Sequence, residues 1–592
     1  MNPDRKKSAR RHLLTIALED YYQVGAFNHL IQQGQWYRFE TRIERNTRRA
    51  LDLLDEFGVQ ATFFVLGWVA DTMPELVREV SNRGHEVASK GYYHRSIQQM
   101  SPAEFRDDLA RAREALARAS GQRILGYRVA DEWFTPADLW ALDVLAREGY
   151  EYDSSIAPRL RQFAHEPWRR FPHTHQFADQ TLWEFPISSA DVLGWLIPVA
   201  GGNYMRQFPA FLVRRALSHW DRTYTAPFTM YFHVWELDPD QPKISAAAFH
   251  QRVRQYRHLD RVPEQLRYYF DRYRFTGIAS HLGLSTFPSA AVVAENALAS
   301  AANRALAARI PAVPSLALTR TSPSVPRETI TVVIPCFNEE LVLPYLGNTL
   351  RSVQHVLRDR YDLHFIFVDD RSTDDTRVVL ENVFGDWAEC RILRHERNQG
   401  VAAAIRTGLR HAETEIVCSI DCDCTYDPHE LGRMIPLLTE EVDMVTASPY
   451  HREGTVRNVP EWRLMLSRTL SKLYRIVLHQ KLDTYTSCFR VYRRSTTTGV
   501  PVREMGFLGI AELLGRLDLS GARVVEFPTT LEVRVLGASK MKIFRTIFGH
   551  LRLLSRLATI RMFQPRPGPR PRVNEADQPT PVPRSNVARH HV

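Results

Sequence analysis

Asp421 and Asp423 stand two positions apart at the end of an apolar stretch, residues 416–428, IVCSIDCDCTYDP. In a strand, residues two apart leave on the same face, so both carboxylates point one way. Two carboxylates at a strand end make a hard oxygen site suited to Mg²⁺ or Mn²⁺, above all one shared with a diphosphate. An Asp-x-Asp pair alone is a weak signal, and three stretches upstream strengthen it. ITVVIPCFNEE is an apolar run through Pro335 with Asn338 and Glu339 behind it. LHFIFVDDRSTDDT ends a second run in Asp369 and Asp370, followed by a Ser/Thr/Asp turn able to cap a helix. CRILRHERNQGVAAAIRTGLRHA gives a third run, then Asn398 and Gly400 before an Ala-rich helix. Four strands that each end in polar groups place those groups at the carboxyl edge of a mostly parallel sheet, where open α/β sheets bind ligands.

The elements around these residues need more than one core, because 592 residues exceed what a single core organises. The net charge of +10 and pI near 9.3 suit anionic partners such as nucleotide diphosphates, lipid phosphates or a membrane surface. No nucleic-acid-binding motif is present, so nucleic acid is not an expected partner. All six cysteines lie in the second half, at spacings that fit neither a zinc ribbon nor a disulfide framework. The apolar run after MNPDRKKSARRH is too short for a signal-peptide core. No run approaches the length of a spanning helix. The expectation is a cytoplasmic protein, or one peripheral at the inner face of the plasma membrane.

Residues 13–285 alternate strand-like and helix-like stretches, which predicts a parallel, barrel-like sheet. Ser101-Pro102-Ala103-Glu104 reads as a capping box with proline at the first helical position. RFETRIERNTRRALDLLDEFGVQATFFVLGWVA, GHEVASKGYYHR, GYRVADEW and MYFHVWELDPDQP resemble a polysaccharide deacetylase domain. The subgroup is the one encoded with exopolysaccharide loci, whose usual extension follows as AFHQRVRQYRHLDR. The resemblance implies an irregular (β/α) barrel and a metal-activated water held by an Asp and two His, with an Asp base and a His acid. This chain departs from that pattern. Ala17 stands at the base position and Lys90 at the first metal histidine, and Arg128-Val129-Ala130 replaces Arg-Ala-Pro. His94 and His233 are kept, and Glu19 or Asp20 is left to face the cleft. A lysine ammonium cannot ligate a divalent cation. The expectation is a domain that keeps the fold and has lost hydrolysis, with Trp133 and Trp235 either stacking on sugar or packing in the core.

Residues 286–328 turn Ala-rich and then Pro/Ser-rich, a linker. The stretches VVIPCFNEE, VDDRSTDDT, NQGVAAAIRTG and DCDCTYDP then resemble glycosyltransferase family 2, with the Rossmann-like GT-A fold, over residues 329–540. Within that family the chain looks most like the polyprenol- or dolichol-phosphate sugar synthases. DTYTSCFR at 483–490 stands where those enzymes carry Asp-x-Thr-Ser-Gly-Phe-Arg, and RVLGASK at 534–540 where they carry Arg-x-x-Gly-x-Ser-Lys. Thr486 is shifted and Cys488 replaces Gly, which leaves the acceptor more open than the donor.

The resemblance implies an inverting transfer from a nucleotide sugar. Pro335, Asn338, Glu339, Asp369, Asp370, Asn398 and Gly400 would border the donor, and Asp421 and Asp423 would hold Mg²⁺ or Mn²⁺ against its diphosphate. A polyprenyl-phosphate acceptor needs cationic and hydroxyl donors, here Arg490, Arg534, Ser539 and Lys540, with Arg452 a weaker candidate. A glycan hydroxyl needs a base, and Glu512 sits roughly where other members place one. In 541–563, Lys542, Arg545, Arg552 and Arg556 fall on one side of a helix, and Ile543, Ile547, Leu551, Leu554 and Ala558 on the other. Such a helix suits either a membrane interface or packing on the core. The tail, 564–592, is Pro/Arg-rich and read as disordered. Two rivals stay open: a bifunctional chain with an active deacetylase, which Lys90 opposes, and a non-catalytic glycan-binding or assembly protein, which the intact acids oppose.

Overall fold

The computed structural model describes residues 8–159, 163, 165–178, 180–287, 327–537 and 543–563. It contains two α/β domains. The first is built on a nine-stranded sheet. Its order is Thr229–His233, Arg11–Leu18, Thr62–Val65, Glu86–Ser89, Gly126–Tyr127, Tyr152–Asp153, Gln180–Glu184 and His173–Phe177, with Arg274–Thr276 also paired to Arg11–Leu18. LLTIAL and TFFV are buried on both faces, as parallel strands covered by helices must be. The ladder sets Ala17 opposite His233. The segments after Arg11–Leu18 and Glu86–Ser89 therefore leave on the edge where His233 lies. The outer edge of Thr229–His233 meets Gly201 in a single parallel bridge at Tyr231. Gly201 has φ 128°, and a Cβ there would lie 1.9 Å from the Tyr231 carbonyl oxygen, so only glycine permits the approach.

The capping box forms. Glu104 N donates to Ser101 Oγ at 3.3 Å, Ser101 N donates to Glu104 Oε2 at 2.8 Å, and the helix Pro102–Ser120 follows.

The second domain holds a seven-stranded sheet ordered Cys390–Arg394, Tyr361–Asp369, Glu328–Cys336, Ile416–Ser419, Arg490–Arg493, Met444–Ser448 and Val524–Pro528. The first four strands are parallel, and their register sets Cys336 opposite Asp369. The segments after all four thus leave on one edge. Arg490–Arg493 runs antiparallel to both neighbours, so it begins at that edge, with Arg490 opposite Ser419.

One apolar cluster runs from the first domain into the second. At the junction Phe39 meets Tyr345 edge-on at 5.0 Å, and Asn348 Nδ2 donates to the carbonyls of Arg38 and Phe39 at 3.2 and 3.4 Å. Among the described residues no helix is long and apolar enough to cross a membrane. The helix Ile543–Phe563 packs on the core through His550, Leu553, Leu554 and Leu557, while Phe548 and Leu551 stay exposed. The apolar face expected from the sequence is thus rotated. Leu554 lies inside, Leu551 outside, and Arg556 turns to pair with Glu504.

Candidate functional site

The strand Ile416–Ser419 is tied to its neighbour to the last, Ile420 N donating to Val333 O at 3.2 Å. The chain then turns. Cys424 adopts φ 51°, its N–H reaches Asp421 O at 3.4 Å, and Thr425 N donates to Asp423 Oδ1 at 3.2 Å. Burial pushes the Asp421 carboxyl up to about 7, helped by the charges of Asp423 and Glu339 and opposed by Cys488 and Arg534. Arg534 NH2 donates to Glu339 Oε2, and its NH1 lies 3.4 Å from Asp423 Oδ2. Its Nε donates to Leu536 O at 2.8 Å. Burial alone would ease proton loss from Arg534, but Asp423 and Glu339 outweigh it and raise its pKa. A guanidinium thus stands among acids brought from separate loops.

The neighbouring strand ends are laced to this cluster. Asn338, at φ 55°, accepts from Thr373 N at 2.7 Å, and its own N–H donates to Ser372 Oγ at 2.9 Å. Glu339 N donates to Thr376 Oγ1 at 2.6 Å, and Pro335 lies on the central strand opposite Val368. Asp369 Oδ1 accepts from Ser372 N at 2.8 Å, and Arg394 Nε lies 3.1 Å from its Oδ2. Asp370 is shared between His395 Nδ1 at 2.7 Å, Gln399 N at 2.8 Å and Gly400 N at 2.6 Å, while Asn398 Nδ2 donates to its carbonyl at 3.1 Å. Asp370 therefore shapes the 398–400 turn and has its carboxylate committed there. Gly400 has φ 96°, and a Cβ would meet Met505 O at 2.7 Å. Arg394 and His395 were missed by sequence reasoning. The available signal was a basic pair ending the third strand where its neighbours end in acids.

Two expected residues do other work. Glu512 is buried, accepting from Arg503 N at 2.9 Å, Glu504 N at 2.8 Å and Arg516 Nε at 2.8 Å. A carboxylate so committed is a structural anchor and not a general base. Glu512→Gln is expected to leave transfer rates within about twofold while costing about 1–3 kcal/mol of stability, read from denaturant midpoints alongside turnover. Arg490 is fully buried, with NH1 on Ile510 O at 2.9 Å and NH2 on Tyr485 O at 2.8 Å. It ties the backbone at Tyr485 to the helix Phe507–Leu519, and both its NH1 and NH2 groups are committed to those carbonyls. Ser539 and Lys540 lie outside the described residues.

Asp421 and Asp423 supply the hard oxygen donors a divalent cation requires, and a guanidinium already balances the cluster. Among the described residues no group of three or more His, Cys, Asp or Glu could hold a metal by itself. A cation here would complete its shell with ligands from a bound diphosphate, and the donor set fits Mg²⁺ or Mn²⁺ on those terms.

At the matching edge of the first domain, Lys90 donates to Glu19, both buried, and lies 3.4 Å from His94 Nε2. Glu19 is also 3.4 Å from His94 Nε2 and 3.5 Å from His233 Nε2. Burial raises the Glu19 pKa, but Lys90 first and then the histidines more than reverse this, holding the carboxyl well below its usual range. The ammonium stands among the groups expected to hold a metal, so this donor set does not fit a divalent ion. Asp20 faces away. Its Oδ2 accepts from Thr41 Oγ1 at 2.9 Å, Arg42 N at 2.8 Å and Ile43 N at 3.2 Å, fixing the start of the helix Ile43–Phe57. Arg128 is buried, bracing Ser154 O at 3.0 Å and Thr15 Oγ1 at 2.9 Å, and burial lowers its pKa to about 10. Trp235 is buried and stacked on His233 at 5.2 Å, and Trp133 packs edge-on to Tyr231 at 5.6 Å.

Comparison with known proteins divides the chain in the same way. Residues 35–132 match the polysaccharide deacetylase family, 154–282 a domain of unknown function (DUF3473), and 331–498 glycosyl transferase family 2. A polyprenol monophosphomannose synthase of Mycolicibacterium smegmatis is 30% identical over 224 residues, 36% of this chain and 82% of that protein. A dolichol-phosphate mannosyltransferase of Pyrococcus furiosus is 28% identical over 38% of this chain, which spans 63% of that enzyme's length. A solved mannosyltransferase from Pyrobaculum calidifontis, in complex with GDP-Man and Mn²⁺, superposes with a TM-score of 0.31 at 18% identity, covering 41% of this chain and 67% of that one. Through its C-terminal half, the chain belongs to glycosyl transferase family 2, and a polysaccharide-deacetylase-type domain precedes it.

Proposed function

We propose that the C-terminal domain transfers a sugar, with inversion, from a nucleotide-sugar donor to a polyprenyl phosphate. The observation that carries this reading is the cluster of Asp421, Asp423 and Glu339 around Arg534, at the edge where the parallel strands end. Bound there through Asp421 and Asp423, Mg²⁺ or Mn²⁺ would neutralise charge on the departing nucleoside diphosphate. Asn338 and Glu339, on the loop after Cys336, and Asp369, at the end of its strand, are bonded to the 372–376 turn and would fix the nucleoside end of the donor. Arg534 is placed to receive phosphate oxygens once its acids are shared with a metal.

The acceptor is inferred from chemistry and likeness together. A lipid phosphate arrives as an anion and needs no protein base, and Glu512 is committed elsewhere. The relatives named above act, by their names, on polyprenol or dolichol phosphate. Exposed Trp462, Met465 and Ile476 on the helix Glu461–Val477 and Phe548 and Met562 on Ile543–Phe563 accompany Arg463, Arg468, Lys472 and Arg552. That mixture of apolar and basic groups suits the face of an anionic bilayer, which would place the protein peripherally at the inner side of the plasma membrane. The N-terminal domain is non-catalytic in this reading, because Lys90 holds the metal position and Ala17 the base position. Its pairing with a transferase points to envelope or extracellular polysaccharide synthesis.

The test is nucleoside diphosphate release from a panel of nucleotide sugars with Mn²⁺ or Mg²⁺, with and without a short polyprenyl phosphate. Release that requires the lipid supports the reading. Release independent of lipid moves the acceptor to a glycan, and none across the panel overturns a transferase.

A further inference from the structure

The segment that carries Arg534 is held from the other domain. Thr530–Glu532 pairs in parallel with Thr455–Arg457, and Glu532 N donates to Thr425 O at 2.9 Å, just past Asp423. Beyond that point, among the described residues, its backbone-to-backbone contacts are with Ile244 and Ser245 of the N-terminal domain. Leu536 forms an antiparallel bridge with Ile244. Val535 O accepts from Ser245 N at 2.9 Å and from Ser245 Oγ at 3.0 Å. Gln35 Nε2 donates to Glu532 Oε2 at 2.8 Å. On the other flank of the acids Arg38, its side chain only 6% exposed, donates to Asp427 at 2.8 Å. The Arg534 guanidinium is itself oriented by Leu536 O, the carbonyl of the residue bridged to Ile244.

We propose that the N-terminal domain is a positioning element of the transferase site. Through Ile244, Ser245 and Gln35 it pins the 530–537 segment so that Arg534 stays on Asp423 and Glu339 as a cation with which an incoming divalent ion must compete. The inference rests on the reading that Asp421 and Asp423 hold a metal. A guanidinium and a divalent ion compete for the same carboxylates. Tethering the segment at both ends raises the effective concentration of the guanidinium at the acids. Loosening the tether therefore favours the metal alone while costing the donor complex a placed cation. Those two effects have opposite signs, whereas damage to the fold would weaken both.

The experiment titrates the full-length chain with Mn²⁺ alone, following free Mn²⁺ by electron paramagnetic resonance. Arg534→Gln is expected to tighten Mn²⁺ roughly tenfold by removing the competing charge. Gln35→Ala/Ser245→Ala and the stronger Ser245→Pro are expected to tighten it roughly threefold, and to add nothing in the Arg534→Gln background, since coupled residues are not additive. The mild double variant keeps the test available if Ser245→Pro fails to fold. Unchanged Mn²⁺ affinity in the interface variants, or full additivity with Arg534→Gln, overturns the inference alone. No Mn²⁺ binding in any form, Arg534→Gln included, overturns the inference, and if it persists with a nucleoside diphosphate added it overturns the metal-dependent transferase reading as well.

Discussion

Asp423→Asn is expected to lower kcat/KM for sugar transfer by about 10³-fold, and Asp421→Asn by a similar factor, measured as nucleoside diphosphate release at saturating Mn²⁺. The substitution is nearly isosteric, so the loops keep their shape and the loss reports charge. Each variant removes a hard ligand from a site where, among the described residues, no three acids or imidazoles are grouped to hold a metal, the nearby Glu339 being engaged by Arg534. Donor binding by the metal-free protein should fall much less, because the Asn338–Glu339 loop and the strand end at Asp369 are braced by Ser372, Thr373 and Thr376. Stability should move the other way. The Asp421 carboxyl titrates near 7 in the fold against an ordinary value of 3.8, so its ionised form is disfavoured in the folded state at neutral pH. Asp421→Asn removes that cost above pH 3.8, and its melting temperature should equal or exceed that of the wild type. A variant that is inactive and no less stable would separate chemistry from folding; retained activity would sink the metal assignment.

The strand ends were legible because each carries an apolar run that stops at polar residues, and a parallel sheet delivers such ends to one edge. What each charged residue does there was less legible. Glu512 lies in FLGIAELLGRLDL, a helix apolar almost all round. That pattern marks a fully buried helix, and a carboxylate inside one has to be tied down, so the sequence held a signal against a solvent-facing base. Arg490 gave no comparable warning, since its partners are two backbone carbonyls, Tyr485 O in a loop and Ile510 O in the helix Phe507–Leu519, whose positions only the fold sets. Glu19 and Asp20 are adjacent at a strand end, so alternation lets one face the cleft and sends the other away. Which one faces the cleft depended on the helix Ile43–Phe57, whose first N–H groups claim Asp20. The pairing of Arg38 with Asp427 spans 389 residues and left no local trace at all.

Lys90→Met is expected to destabilise the N-terminal domain by about 3–5 kcal/mol, read from denaturant midpoints at neutral pH. The methionine fills the space of the lysine stem, so the loss is electrostatic: Glu19 is left buried with its main counter-charge gone. His94 Nε2 and His233 Nε2, 3.4 and 3.5 Å from Glu19, remain beside the carboxylate and can recover part of it by hydrogen bonding, which places the expected loss nearer the lower figure. The pH dependence follows from the depressed Glu19 pKa. A carboxylate whose pKa is lowered by folding contributes its full stabilisation above its ordinary value of 4.5 and loses it as the pH falls below that value. The gap between wild type and Lys90→Met should therefore be widest at neutral pH and close in acid, where Glu19 is protonated and no longer needs the ammonium. Adding Glu19→Gln to Lys90→Met should restore most of the stability at neutral pH, since the orphaned charge is then gone as well. A Lys90→Met protein as stable as the wild type at neutral pH would mean that the ammonium is not what balances Glu19. The cleft would then have room for another cation, and the case for a non-catalytic N-terminal domain would fall with it.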